Sequence, residues 1–404
     1  MAFSSSSRSV MLPLWVRRGA IARRSGPARR LRWPAVFCAR PGNALDGAVV
    51  SCEDDAVSAR AETTSPVMDM VDLTPVEPGA GVPPWRDPRW LAEAVAWIDE
   101  RLGAVGLRRS SIPALRGRMW SVVARVPVGA HGTVWFKANP PGSAFEPGLI
   151  AALGQWAPGM VPPVLAVDTE RAWMLASDAG SRLHEVLDRD PDPAHLIPVL
   201  QRYARLQRDL STRTGELLAL GVPDLRPTTL PERLETLLAD QALLAAIGET
   251  RSEALHGFLP KLRERCALLD AFGIAASLDH NDLHPNNVFG SGDSGLVFDW
   301  GDASIGHPFS TLLVVLRAAR AHFGAADLSR LRAAYLEPWL GDGYRLAELE
   351  RAADLAIRIA PISRATTWRR VFPCFAGVEE SNASVARWLV HLLASDPLGE
   401  FELA

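Results

Sequence analysis

Residues 280–302 read HNDLHPNNVFGSGDSGLVFDWGD, and this stretch constrains the fold of the chain more than any other part of it. Asp282 follows His280 by two residues, Asn287 follows Asp282 by five, and Asp299 lies beyond a Gly- and Ser-rich turn. A tight loop can bring the amide of Asn287 close to the carboxylate of Asp282. The apolar run before Asp299 predicts that the second carboxylate ends a short strand. The fold must therefore bring one loop and one strand end together.

Phosphoryl transfer to an alcohol needs the groups of this pattern. One carboxylate must accept the proton of the hydroxyl, and we assign this task to Asp282. A neutral amide and a second carboxylate, Asn287 and Asp299, are oxygen ligands that suit Mg²⁺ on a nucleotide. His280 is too close to Asp282 to be an independent base, so we expect it to hydrogen-bond the loop backbone and fix its shape. The pattern predicts a kinase that uses ATP and Mg²⁺.

The composition excludes several other classes of protein. The chain has 404 residues, 48% of them hydrophobic, which is enough for two or three domains with a sizeable core. A net charge of -3 gives no sign of a nucleic-acid or anionic-membrane partner, and no apolar run is long enough to span a bilayer. The four cysteines show neither metal-ligand spacing nor a disulfide framework, which fits a reducing cytoplasm. We expect a cytoplasmic protein, and the oligomeric state stays open.

The first 84 residues differ in charge from the rest. Residues 1–44 contain many Arg and no Asp or Glu, whereas residues 45–78 are acidic, and neither part has helical or strand periodicity. This pattern predicts a disordered tail. An organelle transit peptide, a start codon placed too far upstream and a nucleic-acid-binding arm are three open interpretations, although no aromatic interleaving supports the last.

A lysine at a strand end gives the second strong signal. The sequence has only two lysines, Lys137 and Lys261, and almost every other cation is Arg. Residues 120–126 and 133–137 have the pattern of two strands of a β-hairpin, and the last residue of the hairpin is Lys137. A lysine in a chain that otherwise uses Arg indicates that this position needs an ammonium rather than a guanidinium. A strand lysine can reach nucleotide phosphates, and Glu146, which starts the next predicted helix, can hold it in place. A solvated strand lysine and a helix-capping glutamate are the plainer alternatives.

The order of the predicted elements gives an α+β fold with two lobes. Residues 85–118 are predicted as an N-terminal helical extension that starts at Asp87-Pro88. Residues 119–178 form a small β-rich lobe for the nucleotide and end in a hinge-like break. Residues 179–404 form a larger helical lobe that carries the catalytic loop and the acceptor site. A cleft between the lobes is the expected binding site.

The pattern H-x-D-x-x-x-x-N at residues 280–287, followed by Phe298-Asp299-Trp300, resembles the aminoglycoside phosphotransferase and choline kinase superfamily. The resemblance covers roughly residues 119–320 and, more loosely, the helices to about residue 395. It implies the protein-kinase-like fold. It also implies the following roles: a catalytic base at Asp282, Mg²⁺ ligands at Asn287 and Asp299, phosphate binding by Lys137, and orientation of that lysine by Glu146.

The sequence departs from the family pattern at two places. Gly129 and Gly132 make a poor glycine-rich loop. Gly301 stands where the family often has a glutamate, and Asp302 follows it. Asp302 is either a second metal contact or a helix cap, and we favour the cap.

The small-molecule acceptor is expected to bind at the C-terminal helices. The candidate residues there are Trp339, Arg364, Trp368, Arg369, Arg370, Glu379 and Glu380. The three arginines disfavour a polycationic aminoglycoside and leave sugars, amino alcohols and anionic metabolites open. The choice of ATP over GTP is not fixed by the sequence.

Two other functions compete with a small-molecule kinase. A non-catalytic kinase-like module that binds a nucleotide or another ligand would not need the full set of Lys, Asp, Asn and Asp. A protein kinase would need an activation loop, but residues 303–308 run directly into a predicted helix and leave no room for one.

Overall fold

The computed structural model describes residues 84–111, 113–117, 121–371 and 378–399. The predicted tail, apart from Pro84, lies outside the described residues, and so do Trp120 and the side chains of Glu379 and Glu380.

An antiparallel five-stranded sheet forms the smaller lobe. Helix α1 (Pro88–Ala104) precedes it, and the strands run in the order β1-β2-β3-β5-β4. They are β1 (Ala114–Gly117), β2 (Val122–Pro127), β3 (Thr133–Ala138), β4 (Val164–Asp168) and β5 (Trp173–Ser177), with helix α2 (Glu146–Trp156) between β3 and β4. Strand β1 falls within the segment that we predicted to be a helical extension. It is too short to carry an alternating pattern, and its pairing with β2 decides its structure.

Helix α1 covers one face of this sheet through aromatic side chains. It begins as the sequence predicts, because the Asp87 carboxylate accepts a hydrogen bond of 2.8 Å from the backbone N–H of Arg89. Trp97 lies with its ring centroid 5.9 Å from that of Phe136 and 5.8 Å from that of Trp173, in edge-on geometry. The smaller lobe therefore has an aromatic core of its own, on the face that α1 covers.

The larger lobe is mainly helical. Its helices are α3 (Leu183–Leu187), α4 (Ile197–Leu210), α5 (Thr214–Ala219), α6 (Leu230–Leu238), α7 (Gln241–Ile247), α8 (Glu249–Asp270), α9 (Leu312–Phe323), α10 (Leu328–Leu336), α11 (Leu346–Val371) and α12 (Val378–His391). No helix in the described ranges is long and apolar enough to cross a membrane.

Two short antiparallel strand pairs lie between α8 and α9 and hold residues 280–303. Strand β6 (Ser277–Asp279) pairs with β9 (Ser304–Gly306), and β7 (Val288–Phe289) pairs with β8 (Leu296–Val297). The sequence predicted the turn and the short strand before Asp299, which belong to the inner hairpin β7–β8, but it did not predict the outer pair β6–β9. The α+β class, with a small β-rich lobe before a larger helical one, is confirmed.

We predict that Trp97→Ala lowers the free energy of unfolding by about 3–5 kcal/mol, because it leaves a cavity between α1 and the sheet. Urea denaturation of the full chain measures the change. Val105→Ala is the control, since this side chain directly follows α1 and is 45% exposed. We expect the control to change stability by no more than about 0.5 kcal/mol. Equal effects of the two substitutions would contradict the packing described for α1.

Candidate active site

The inner hairpin brings Asn287 next to Asp299. Val288 pairs with Val297, and the backbone N–H of Phe298 donates to the carbonyl of Asn287 at 3.1 Å. Asp299 then takes a left-handed backbone conformation with φ 64°, which short polar residues tolerate better than bulky ones. The turn ends the strand abruptly and leaves the Asp299 side chain half exposed. The sequence-predicted amide and carboxylate therefore meet at one end of the hairpin.

His280 joins the loop of residues 280–287, called the catalytic loop because it holds the predicted base Asp282, to this hairpin. Its side chain is fully buried, and its Nδ1 accepts a hydrogen bond of 3.3 Å from the backbone N–H of Asp282. Its Nε2 consequently carries the hydrogen and donates to the carbonyl of Phe298 at 2.9 Å. Burial lowers the pKa of His280, so the neutral ring is favoured. His280 thus contacts backbone on both sides.

Lys137 connects the two lobes through two carboxylates. Its Nζ lies 2.6 Å from Oε2 of Glu146 and 2.6 Å from Oδ1 of Asp299. Burial opposes the charge on Lys137, but the carboxylates of Asp299 and Glu146 outweigh burial and raise the pKa of the lysine. Partial loss of hydration opposes the charge on the half-exposed Asp299, but the Lys137 ammonium outweighs it and lowers the pKa of the carboxyl. The structure thus brings together Lys137, Glu146 and Asp299 at the junction between the smaller lobe and the inner hairpin.

The catalytic loop holds Asp282 beside Asn287. The Nδ2 group of Asn287 donates to the backbone carbonyl of Asp282 at 2.9 Å and lies 3.4 Å from its Oδ2. The Nε2 of His284 is also 3.4 Å from Oδ2. Asn281, with φ 61°, anchors the loop by donating from Nδ2 to Oγ of Ser304 at 2.7 Å. The five-residue spacing between Asp282 and Asn287 therefore forms the tight loop that the sequence predicted.

Arg364 of helix α11 contacts Asp282 from the other side, and the sequence did not predict this pairing. Nη2 of Arg364 lies 3.0 Å from Oδ1 of Asp282, and the arginine side chain is only 3% exposed. Burial favours the neutral carboxyl, but the guanidinium of Arg364 outweighs it, and the pKa of Asp282 falls well below its usual range. Residues 359–365 of α11 are buried and, apart from Arg364, uncharged. This single charge in an uncharged run was the one signal in the sequence for a buried ion pair.

Asp302 binds an arginine and does not cap the helical turn that follows it. Its Oδ2 accepts a hydrogen bond of 2.8 Å from Nη1 of Arg364, while its backbone carbonyl accepts one of 3.1 Å from Asn281. The favoured interpretation as a helix cap is wrong, because the helical turn that follows, Pro308–Thr311, is capped by His307 instead. Asp302 is an ion-pair partner for the arginine that also holds Asp282.

The other predicted acceptor residues have different surroundings. The prediction that Trp339 binds the acceptor is wrong, because its side chain is 3% exposed and packs edge-on against Phe309 in the core. Arg369 forms an ion pair with Asp240 and donates to Asn382. The guanidinium of Arg370 donates to the carbonyl oxygens of Gly142 and Gly301.

The residues present fit a magnesium ion shared with a nucleotide. Among the described residues, no group of three His, Cys, Asp or Glu side chains could enclose a metal ion. Asn287 uses its Nδ2 in the hydrogen bonds above, which leaves Oδ1 as its ligand atom, and Asp299 contributes a half-exposed carboxylate. One amide and one carboxylate suit an ion that keeps water and takes phosphate oxygens.

The sequence profile described as the phosphotransferase enzyme family matches residues 146–349, just over half of the 404-residue chain. The chain belongs to this family. The match includes Glu146, the catalytic loop and Asp299, and it confirms the resemblance inferred from the motif. No curated protein sequence matches the chain significantly.

Solved structures of three kinases share the fold. An ethanolamine kinase from Plasmodium vivax has a TM-score of 0.54 and 11% identity over 76% of this chain and 89% of its own. A choline kinase from Cryptosporidium parvum has a TM-score of 0.51 and 12% identity over 74% and 94%. A choline kinase from Streptococcus pneumoniae has a TM-score of 0.51 and 15% identity over 75% and 100%. At these identities the likeness shows that the chain has their kinase-like fold.

We predict that Lys137→Met lowers the free energy of unfolding by about 3–5 kcal/mol, because it leaves the fully buried Glu146 without its cation. The double substitution Lys137→Met/Glu146→Gln should recover most of this loss, since neither charge then remains. Chemical denaturation at neutral pH measures both.

Lys261→Met is the matched control, because this second lysine is exposed on α8. It should change stability by no more than about 0.5 kcal/mol. A double variant as unstable as Lys137→Met would show that the ion pair is not the cause.

Proposed function

We propose that this member of the phosphotransferase family is an ATP- and Mg²⁺-dependent kinase that transfers the γ-phosphate to a hydroxyl of a small molecule. The observation that carries the proposal is the meeting of Lys137, Glu146 and Asp299 between the lobes, next to the loop that holds Asp282 and Asn287. Ion pairs that are buried wholly or in part contribute little net stability, so the presence of these two favours a chemical role.

Each residue has a proposed task. Lys137 binds the phosphates of the nucleotide and is oriented by Glu146, whose two oxygens lie 2.9 and 2.6 Å from Nζ. Asn287 and Asp299 hold Mg²⁺, which neutralises phosphate charge when bound. His280 touches neither phosphate nor acceptor in this proposal, and it supports the loop by its two hydrogen bonds to backbone.

Asp282 orients the acceptor hydroxyl. The hydroxyl oxygen forms a bond to the γ-phosphorus while the bond from that phosphorus to the β–γ bridging oxygen breaks, and ADP leaves with the electron pair. The hydroxyl proton passes to the Asp282 carboxylate. The low pKa of Asp282 keeps the carboxylate ionised, so it accepts a hydrogen bond from the hydroxyl throughout the neutral pH range.

The segment after Asp302 favours a small acceptor over a protein. Residues Ser304–Gly306 are β9, paired with β6, and Pro308–Thr311 form a turn that leads into α9. No long loop intervenes here to bind a protein substrate. A cytoplasmic location stays a prediction from the cysteine usage of the sequence.

We predict that Mg²⁺-ATP stabilises the native protein, by about 2.7 kcal/mol at a hundred times its Kd. Asp299→Ala should abolish this stabilisation because it removes the metal carboxylate. Asp282→Asn should keep the stabilisation and lower turnover roughly 10²–10⁴-fold, because it removes the charge that orients the hydroxyl. Thermal shift and nucleotide consumption over a panel of alcohols measure the two effects.

Asp293→Ala is the control, since Asp293 is exposed in the turn of the same hairpin. It should behave like the native protein in both assays. Failure of Mg²⁺-ATP to stabilise the native protein would overturn the proposal. Stabilisation without turnover of any alcohol in the panel would favour the alternative, a non-catalytic nucleotide-binding module.

A further inference from the structure

We propose that Arg364 is a positioning residue for phosphoryl transfer: it fixes one oxygen of Asp282 so that the other oxygen, Oδ2, faces the acceptor hydroxyl. The inference rests on the proposed function. It adds a residue from helix α11, far from the catalytic loop in sequence, to the machinery of that loop.

The two oxygens of Asp282 have unequal surroundings. Oδ1 is buried from solvent and lies 3.0 Å from Nη2 of Arg364, in an ion pair that lacks the geometry of a hydrogen bond. Oδ2 accepts a long hydrogen bond of 3.4 Å from Nδ2 of Asn287 and lies 3.4 Å from Nε2 of His284. The Asp282 side chain is still 22% exposed, and we assign Oδ2, the oxygen away from Arg364, as the one that faces the acceptor.

Arg364 is itself held on several sides. Nη1 donates to Oδ2 of Asp302 at 2.8 Å and to the backbone carbonyl of Asn281 at 2.9 Å. The guanidinium carbon lies 5.5 Å from the ring centroid of Trp388. A planar guanidinium fixed in this way sets the direction of the carboxylate that it binds, which a flexible ammonium does less well.

The same contacts could serve folding alone, because Arg364 also ties α11 to the loop. The two roles predict different results for a variant in which a carboxylate is removed together with the arginine. Arg364→Met leaves the partly buried carboxylates of Asp282 and Asp302 without their shared cation, whereas Arg364→Met/Asp302→Asn removes one of these charges. A structural role predicts that the double variant recovers stability and turnover together. A positioning role predicts that it recovers stability only.

The experiment compares the hydrolysis of Mg²⁺-ATP by water and transfer to the best alcohol of an acceptor panel. We expect Arg364→Met/Asp302→Asn to fold and to bind Mg²⁺-ATP with a KM within about twofold of native. Its kcat for transfer to the alcohol should fall by roughly 10–100-fold, the size of effect that a small misplacement of a catalytic group produces. Arg364→Lys should recover part of the lost kcat, because one ammonium cannot hold both carboxylates and the Asn281 carbonyl.

Arg351→Met is the control, since Arg351 is an exposed arginine of the same helix. It should leave kcat and KM unchanged. Native kcat in the double variant, or a loss expressed only in the KM for Mg²⁺-ATP, would overturn the positioning role. Absence of Mg²⁺-ATP binding and turnover in the native protein would overturn the proposed function as well, so the two failures are distinguishable.

Discussion

The contact of one ammonium with two carboxylates is the interaction on which the site depends. Lys137 extends from strand β3 and binds Glu146 at the start of α2 and Asp299 at the end of the inner hairpin. Two neighbouring elements of the smaller lobe are thereby held to a hairpin residue that lies 162 positions after the lysine. Burying these charges costs desolvation free energy that their attraction only partly offsets. The arrangement is therefore better explained by the charge of a nucleotide that it can bind than by stability.

A second cation, Arg364, also binds two carboxylates. Arg364 bridges Asp282 and Asp302 as Lys137 bridges Glu146 and Asp299. Asp299 and Asp302 belong to one short turn, so a single turn presents one carboxylate to each cation. The turn is anchored by Trp300, which is fully buried and donates from Nε1 to the carbonyl of Val297 at 3.1 Å. The position of both ion-pair groups therefore depends on the packing of one indole ring.

Local sequence was sufficient to predict those features that short segments determine. The Asp282–Asn287 spacing, the strand ending at Lys137 and the inner hairpin all follow from residues close together in the chain. Strand β1 was missed because four residues are too few to show alternation, although its partner β2 follows directly. Strands β6 and β9 were missed because each has three residues and exists through pairing with a partner more than twenty residues away. The role of Arg364 was missed for the same reason. An arginine on a helix is typically exposed, and only the fold brings this one to Asp282.

Gly301, where the family pattern often has a glutamate, is explained by close packing at the start of α2. A Cβ at this position would lie 3.3 Å from Oε2 of Glu146 and 3.4 Å from Oγ of Ser143. Ser143 donates to the Gly301 carbonyl at 2.8 Å, and Arg370 donates to the same oxygen at 3.1 Å. A glutamate here would crowd Glu146 and add a third carboxylate beside Asp299 and Asp302. The glycine thus keeps the segment close enough to bind α11 and α2, and it leaves Asp299 as the one carboxylate of the turn that faces Lys137.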